Sequence, residues 1–219
     1  MTRLGWIVSA SLVALAWLSA ALAYPQLPEQ IPTHWNIHGE IDGYGAKWWA
    51  LFLTPGIMLG AFLMFLALPW LSPRQFAVET FRPTYQFIVV AVLLLIAYIH
   101  GLLLWAAWSG PVDISRALMA GICLALAVIG NVLGKVRRNF FVGIRTPWTL
   151  ASERVWIDTH RLAAWLFVLA GMAGAVAAVV LSQVLSFAVP FALIIAAALA
   201  SVVYSLVHYK RLERQGQIN

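Results

Sequence analysis

Two histidines and two carboxylates lie within the nine residues HWNIHGEID, and this combination could hold a metal ion. His34 and His38 are four residues apart, the spacing that places two imidazole ligands on one face of a helix, and Glu40 and Asp42 could complete the coordination. The proline and glycines around these residues oppose a helix, so the spacing loses that meaning. A metal site is therefore one interpretation among several, and we predict neither a metal nor a cofactor.

The same segment is suited to a second role, the recognition of an external ligand. In an extended chain His34, Asn36 and His38 would share one face, with Trp35 on the other. A third interpretation is a compact loop with a tight turn at Asp42-Gly43 and with Trp35 packed on the membrane surface. If the segment binds a ligand, the expected contact residues are His34, Trp35, Asn36, His38, Gly39, Asp42 and Gly43.

A second ordered pattern is GIRTPWTL, which starts at Gly143. Gly143 permits a sharp turn, Thr146 can cap a helix whose first residue is Pro147, and Trp148 lies where an aromatic ring anchors a helix at a membrane surface. Apolar residues recur from Pro147 onward at helical spacing. We therefore predict an amphipathic helix that runs directly into the fifth membrane span.

Arg145 lies just before this helix and can form an ion pair. Glu153 and Asp158 are nearby carboxylates, and pairing with one of them is favoured over an acidic binding partner. The surrounding cations also fit a simpler role, a topology anchor against anionic lipid. If the segment instead contacts a protein, the expected contact residues are Asn139, Gly143, Arg145, Thr146, Pro147, Trp148, Thr149, Glu153, Trp156 and His160.

These two segments belong to a chain whose composition marks an integral membrane protein. Mean hydropathy is +0.87 and only 10% of the 219 residues are charged, whereas soluble proteins carry roughly a quarter. Each of six apolar runs is close in length to the about 20 residues that a helix needs to cross a bilayer. Helices also satisfy their backbone hydrogen-bonding groups internally, as a membrane span must. We predict an all-α, polytopic fold with six transmembrane helices. The runs cover residues 4–23, 48–71, 85–109, 116–134, 161–182 and 188–208.

The lysines and arginines predict which ends of the spans face the cytoplasm. With the N-terminus inside, twelve of these fourteen residues lie on the cytoplasmic side, and only Lys47 and Arg116 lie outside. Both termini are therefore predicted to be cytoplasmic. Residues 24–47 then form an extracytoplasmic loop and residues 135–160 a cytoplasmic one.

The first apolar run has an alternative interpretation. It ends in Ala21 and Ala23, the A-x-A pattern that precedes signal-peptide cleavage, but it is long for such a leader. We expect a retained helix. The chain then divides into residues 1–71, an N-terminal helix pair with its outer loop, and residues 72–219, a region of four transmembrane helices.

The sequence offers little for catalysis or ion coupling. It contains no G-x-S-x-G, H-E-x-x-H or glycine-rich phosphate motif, so no enzymatic activity is predicted. No Asp or Glu lies in any predicted span, although an ion-coupled transporter normally needs such a carboxylate. His100 and Asn131 are the main polar residues within the spans, and they keep a small solute transporter or exporter as the alternative function. The positive charge follows from topology, so no direct contact with nucleic acid is predicted.

Two stretches resemble a known family. The segment NFFVGIRTPWTLASERVWIDTHR, Asn139 to Arg161, resembles the signature of the SdpI family of bacterial membrane proteins, named for immunity against a sporulation-delaying toxin. The stretch LPEQIPTHWNIHGEIDGYGAKWW resembles the uncharacterised N-terminal domain that often precedes this signature. Together the two resemblances extend from residue 8 to the end of the fifth predicted helix.

The resemblance implies a multi-pass protein of the bacterial cytoplasmic membrane that protects its host from a secreted antimicrobial peptide. It also implies signalling, in which the inner segment holds a cytoplasmic transcriptional repressor at the membrane when toxin is present. The matching inner positions are Asn139, Gly143, Arg145, Thr146, Pro147, Trp148, Thr149, Leu150, Trp156 and His160. The matching outer positions are His34, Trp35, Asn36, Gly39, Asp42 and Gly43.

Overall fold

The computed structural model describes residues 3–110 and 112–218, and over these residues it has seven α-helices and one two-stranded hairpin. The helices are α1 (Arg3–Ala23), α2 (Lys47–Leu71), α3 (Arg82–Ser109), α4 (Ser115–Leu133), α5 (Pro147–Ala151), α6 (Glu153–Val180) and α7 (Gln183–Arg214), and the strands are β1 (Gln30–Trp35) and β2 (Ile41–Ala46). Within the described ranges, six helices, all except α5, are long and apolar enough to cross a membrane. The predicted polytopic all-α architecture is confirmed, with the hairpin as an addition.

The long helices pack in two groups. Helices α1, α2 and α3 contact one another, helices α4, α6 and α7 contact one another, and α3 joins the groups by packing on α4. Close contact between α4 and α6 depends on small residues, because membrane helices associate through short backbone distances. A Cβ at Gly130 would lie 2.9 Å from the Cβ of Phe167, and one at Gly171 would meet the carbonyl oxygen of Cys123. The division of the chain at residue 71 remains a prediction.

The hairpin covers one end of the helix bundle, which we call the hairpin end. Strands β1 and β2 are antiparallel, with Ile31 opposite Gly45 and Trp35 opposite Ile41. The turn between them uses Gly39, whose φ of 77° suits a residue without a side chain. A tight turn at Asp42-Gly43 is therefore wrong, because these two residues lie within β2.

Residues 134–160, from the end of α4 through the first two turns of α6, cover the opposite end of the bundle, and we call them the motif loop. The predicted continuous helix from Pro147 into the fifth span is wrong, because Ser152 interrupts it with an extended backbone (φ −134°, ψ 128°). The Ser152 side chain accepts a hydrogen bond from the Val155 N–H and so caps α6. Helix α6 consequently begins at Glu153, ahead of the predicted start at residue 161.

Lys47 and Arg116, the two cations predicted to lie outside the cytoplasm, are both held by protein groups at the hairpin end. Arg116 donates to the carbonyl oxygens of Val179 (3.0 Å) and Leu181 (2.8 Å), and so caps the end of α6. Lys47 pairs with Glu29 at 3.0 Å. Both cations therefore have hydrogen-bond or ion-pair partners within the protein at this end.

Candidate ligand cavity and motif loop

A large cavity lies directly beneath the hairpin, between the two helix groups, and we call it the hairpin cavity. Its volume is about 720 Å³, within the range of about 300–1,000 Å³ that pockets for one small ligand occupy. Most of its wall is apolar and comes from α2, α3, α4 and α7. The lining residues are Thr33, His34, Trp35, Asn36, Ile37, Trp49, Ala50, Leu53, Thr54, Ile99, Leu102, Leu103, Ile114, Ser115, Leu118, Met119, Ile122, Gln183, Ser186 and Phe187.

Both helix groups contribute accessible residues to the hairpin cavity. Leu53 on α2 and Phe187 on α7 both line it, and they are 50% and 46% exposed. Helix α2 packs on α1 and α3, whereas α7 packs on α4 and α6, so these two residues belong to different helix groups. The cavity therefore lies between the groups.

Three of the predicted outer ligand residues line this cavity. They are His34, Trp35 and Asn36, and the Trp35 indole N–H donates to the Val112 carbonyl at 2.9 Å, which fixes the ring against the start of α4. Asn36 holds the turn, since its Oδ1 accepts from the backbone N–H groups of His38 and Glu40. Trp35 is half-buried under the hairpin and does not pack on the outer surface of the bundle.

The other four predicted outer residues shape the hairpin without lining the cavity. A Cβ at Gly43 would lie 2.8 Å from the His34 Cβ, so Gly43 makes room for His34, whose Nδ1 lies 2.5 Å from Asp42 Oδ1. A Cβ at Gly39 would meet the Asp113 carboxylate. His38 is exposed. Across residues 3–110 and 112–218, no group of three or more His, Cys, Asp or Glu side chains is placed to hold a metal ion.

One polar cluster lies within the helices next to the cavity. His100 is 3% exposed, and its ring nitrogens lie 3.1 Å from Ser19 Oγ and 2.7 Å from Thr54 Oγ1. This cluster ties α1, α2 and α3 together, and Thr54 also lines the cavity. Asn131, the other polar residue predicted within the spans, lies in α4 and is exposed. It is therefore not part of the buried polar cluster around His100.

At the opposite end, Asn139 organises the first part of the motif loop. Its side chain is fully buried, and its Oδ1 accepts from the N–H groups of Phe141 and Val142, both at 2.7 Å. Its Nδ2 donates to the carbonyls of Arg137 (2.8 Å) and Val142 (3.0 Å). Asn139 thus replaces the backbone partners that this irregular segment lacks.

The centre of the motif loop is a stack of Trp156 and His160, both fully buried. Their ring centroids are 4.0 Å apart. The Trp156 indole donates to the Val136 carbonyl at 2.8 Å, and His160 Nε2 accepts from the Ile144 N–H at 3.0 Å. His160 Nδ1 lies 2.8 Å from the Trp156 carbonyl, so the ring donates there. Trp156 is therefore a core residue of the loop.

Two threonines fix the second part of the motif loop. Thr146 caps α5 as predicted, because its side chain accepts from the Thr149 N–H while the Thr149 hydroxyl accepts from the Thr146 N–H. Thr149 also donates to the Ile144 carbonyl at 2.8 Å. The Thr146 hydroxyl lies 3.1 Å from Ser205 Oγ, which fastens the loop to α7. A single sequence offers no signal for the Ser205 contact, because the partners are far apart along the chain.

Fewer of the predicted contact residues are exposed, and the exposed part of the motif loop is basic. Arg145, Pro147 and Glu153 are exposed, whereas Trp148 is half-buried. Arg145 donates to the Phe140 carbonyl and, among the described residues, it has no carboxylate partner, so the predicted pairing is wrong. Asp158 pairs instead with His208 of α7 at 2.9 Å. The loop therefore buries five of its predicted contact residues and presents a few others to solvent.

Comparison with known proteins matches both segments of interest. Residues 135–205 match the SdpI/YfhL protein family, and residues 11–59 match a domain of unknown function, DUF1648. The chain is 30% identical over 170 residues to the immunity protein SdpI of Bacillus subtilis, which covers 78% of this chain and 79% of that protein. A stretch of 35 residues is 49% identical to an uncharacterized protein of Archaeoglobus fulgidus, over 16% of this chain and 19% of that protein.

No solved structure matches the chain. The family match contains the motif loop from Lys135 onward together with α5, α6 and most of α7. The curated relative extends the similarity over more than three quarters of the chain. On this similarity, this membrane protein, with its six long apolar helices, belongs to the SdpI/YfhL family.

Proposed function

We propose that this protein gives a bacterium immunity to a secreted antimicrobial peptide. The observation that carries the proposal is the identity of 30% over 78% of the chain to a protein named for immunity. The hairpin cavity supports it, because it provides a built, ligand-sized site at one end of the bundle. The proposed role is protective and non-enzymatic.

The proposal includes a location and an orientation. We place the protein in the bacterial cytoplasmic membrane with both termini inside, because the positively charged ends of the spans favour the cytoplasm. The hairpin end then faces outward, where a secreted peptide arrives. In this orientation the hairpin residues that line the cavity, His34, Trp35 and Asn36, are the first contacts for the toxin.

Survival under toxin tests this function. A bacterium that is sensitive to a sporulation-delaying-type peptide is expected to survive when it expresses the chain and to die without it. Ile37→Asp is expected to abolish protection, because it places a charge on the cavity lining, whereas Tyr44→Asp, at a similarly exposed hairpin position outside the cavity, should protect normally. Membrane abundance must be equal for all variants. Equal killing with and without the wild-type chain would exclude immunity to that peptide.

We also propose that the motif loop recruits a cytoplasmic transcriptional repressor. The exposed side chains of Arg145, Pro147 and Glu153, with half-buried Trp148, form the contact surface in this proposal, and the buried residues hold it in shape. Arg145→Ala is expected to abolish the toxin-dependent sedimentation of one host repressor with purified membranes. Arg137→Ala is the matched control, since it removes another exposed arginine of the same loop outside the proposed contact surface. Sedimentation that both variants leave unchanged would contradict the assignment of Arg145.

A further inference from the structure

We propose that the hairpin cavity binds one single-chain amphiphile with an uncharged polar head, such as a long-chain alcohol or a monoglyceride. The chain would lie against the apolar wall and the head would lie under the hairpin. This site goes beyond the immunity role and does not depend on it. The proposal rests on the size of the cavity, the chemistry of its wall and its position between the two helix groups.

The size of the cavity fits one hydrocarbon chain and not a transmembrane helix. A transmembrane helix about 30 Å long and about 10 Å wide would need roughly 2,400 Å³, whereas the cavity offers about 720 Å³. Its lining on α4 runs from Ser115 to Ile122, which is about 11 Å of helix. A hydrocarbon core is about 30 Å thick, so the cavity extends through only part of it. Its depth fits within a single leaflet.

The residues of the cavity wall determine which chemical groups suit the two ends of the ligand. Leu102, Leu118, Met119 and Phe187 form an apolar surface that favours a hydrocarbon chain. The polar groups near the hairpin are hydroxyls and amides, among them Ser115 and Gln183, together with the imidazole of His34, whose Nδ1 is already engaged by Asp42. Of the lining residues in the described part of the chain, none is Lys, Arg, Asp or Glu. A charged head would lose hydration there without an ion-pair partner, so a neutral head is favoured.

The position of the cavity between the two helix groups gives the ligand a route from the bilayer. Leu53 of α2 and Phe187 of α7 line the cavity from different groups and are 50% and 46% exposed. A chain would enter between the groups, and its polar head would stay near the membrane surface during entry. Trp35, which also lines the cavity, is held by its hydrogen bond to Val112.

The test is photolabelling of the full chain in phosphatidylcholine nanodiscs. Detergent must be absent, because most detergents are themselves single-chain amphiphiles. The probe is a dodecanol analogue with a diazirine in its chain, and labelled peptides are identified by mass spectrometry. We expect labels on α2, α4 and α7 at the cavity, with unlabelled dodecanol competing and the ionised dodecanoate competing weakly.

Two substitutions on one helix provide the matched control. Leu118→Trp fills the cavity, whereas Leu124→Trp makes the same change at a position of α4 that is 46% exposed. We expect Leu118→Trp to lower labelling about tenfold or more, which corresponds to about 1.4 kcal/mol of binding free energy. Ala50→Leu narrows the cavity from α2 and tests the same point if the first variant does not assemble. Equal labelling of wild type, both cavity variants and Leu124→Trp would overturn the proposal, as would labels that map only outside the cavity.

Two further arms distinguish the source of the natural ligand. Wild-type protein extracted from bacterial membranes with a styrene–maleic acid copolymer should carry a neutral single-chain lipid that Leu118→Trp lacks if the host membrane supplies it. Displacement of the probe by an added toxic peptide would instead indicate that the natural hydrocarbon chain belongs to the secreted ligand. Either result supports the site. Failure of the survival experiment leaves the labelling result unaffected, so the two proposals fail separately.

Discussion

Replacing Gly143 with alanine is expected to lower the free energy of unfolding by about 2–5 kcal/mol, from backbone strain and overpacking together. Gly143 has a φ of 109°, a conformation that residues with a Cβ rarely adopt. The added Cβ would also meet Nε2 of His160, which accepts the Ile144 N–H. His160 cannot move aside easily, because it is stacked on Trp156 in a fully buried site.

The measurement is an SDS titration in mixed micelles, followed by far-UV circular dichroism. Gly101→Ala is the matched control, because a Cβ at Gly101 of α3 would meet no atom within 4 Å. That variant should keep or slightly raise stability, since alanine favours a helix over glycine by roughly 0.5–1 kcal/mol. Equal stability of the two variants would show that the space beside His160 is not needed.

Replacing Trp156 with alanine is expected to cost about 3–5 kcal/mol, the usual effect of truncating a buried tryptophan. The substitution removes the ring that stacks on His160 and leaves the Val136 carbonyl without its indole donor at 2.8 Å. Both losses affect the junction where the motif loop meets α6. The motif loop is therefore expected to open before the long helices separate.

Protease sensitivity of the motif loop, together with the same titration, checks this expectation. Trp165→Ala is the control, because Trp165 lies on the same helix and its residue is 70% exposed. Trp156→Phe separates the two contributions, since it keeps a ring but removes the indole donor, and should cost about 1–3 kcal/mol. A Trp156→Ala protein as stable and as protease-resistant as Trp165→Ala would contradict the core role of this residue.

Local patterns were enough to predict the membrane helices and one helix cap. Long apolar runs leave the backbone few alternatives in lipid, so all six spans appear near their predicted positions. The cap at Thr146 was also predictable, because it needs only a hydroxyl before Pro147 and a partner within one turn. These features depend on residues that are close together in the chain.

Features that depend on distant contacts could not be predicted in the same way. Trp156 resembles an interfacial aromatic in the sequence, and only the position of Val136 makes it a core residue. Arg145 has two nearby carboxylates in the sequence, but the folded loop directs it to a backbone carbonyl. The cavity is likewise invisible in the sequence, because its wall combines the ends of four helices with the hairpin.

Helix α7 connects the two ends of the molecule as one continuous element. Ser186 and Phe187 line the hairpin cavity, whereas Ser205 contacts Thr146 and His208 pairs with Asp158 in the motif loop. Ser205 lies 19 positions after Ser186, which corresponds to about 29 Å of helix, close to one bilayer core. Pro190 lies within α7 between Phe187 and Ser205 and removes one backbone hydrogen bond there, so this is the point at which α7 can bend. A change at the hairpin cavity and a change at the motif loop therefore act on the same helix, on either side of this proline.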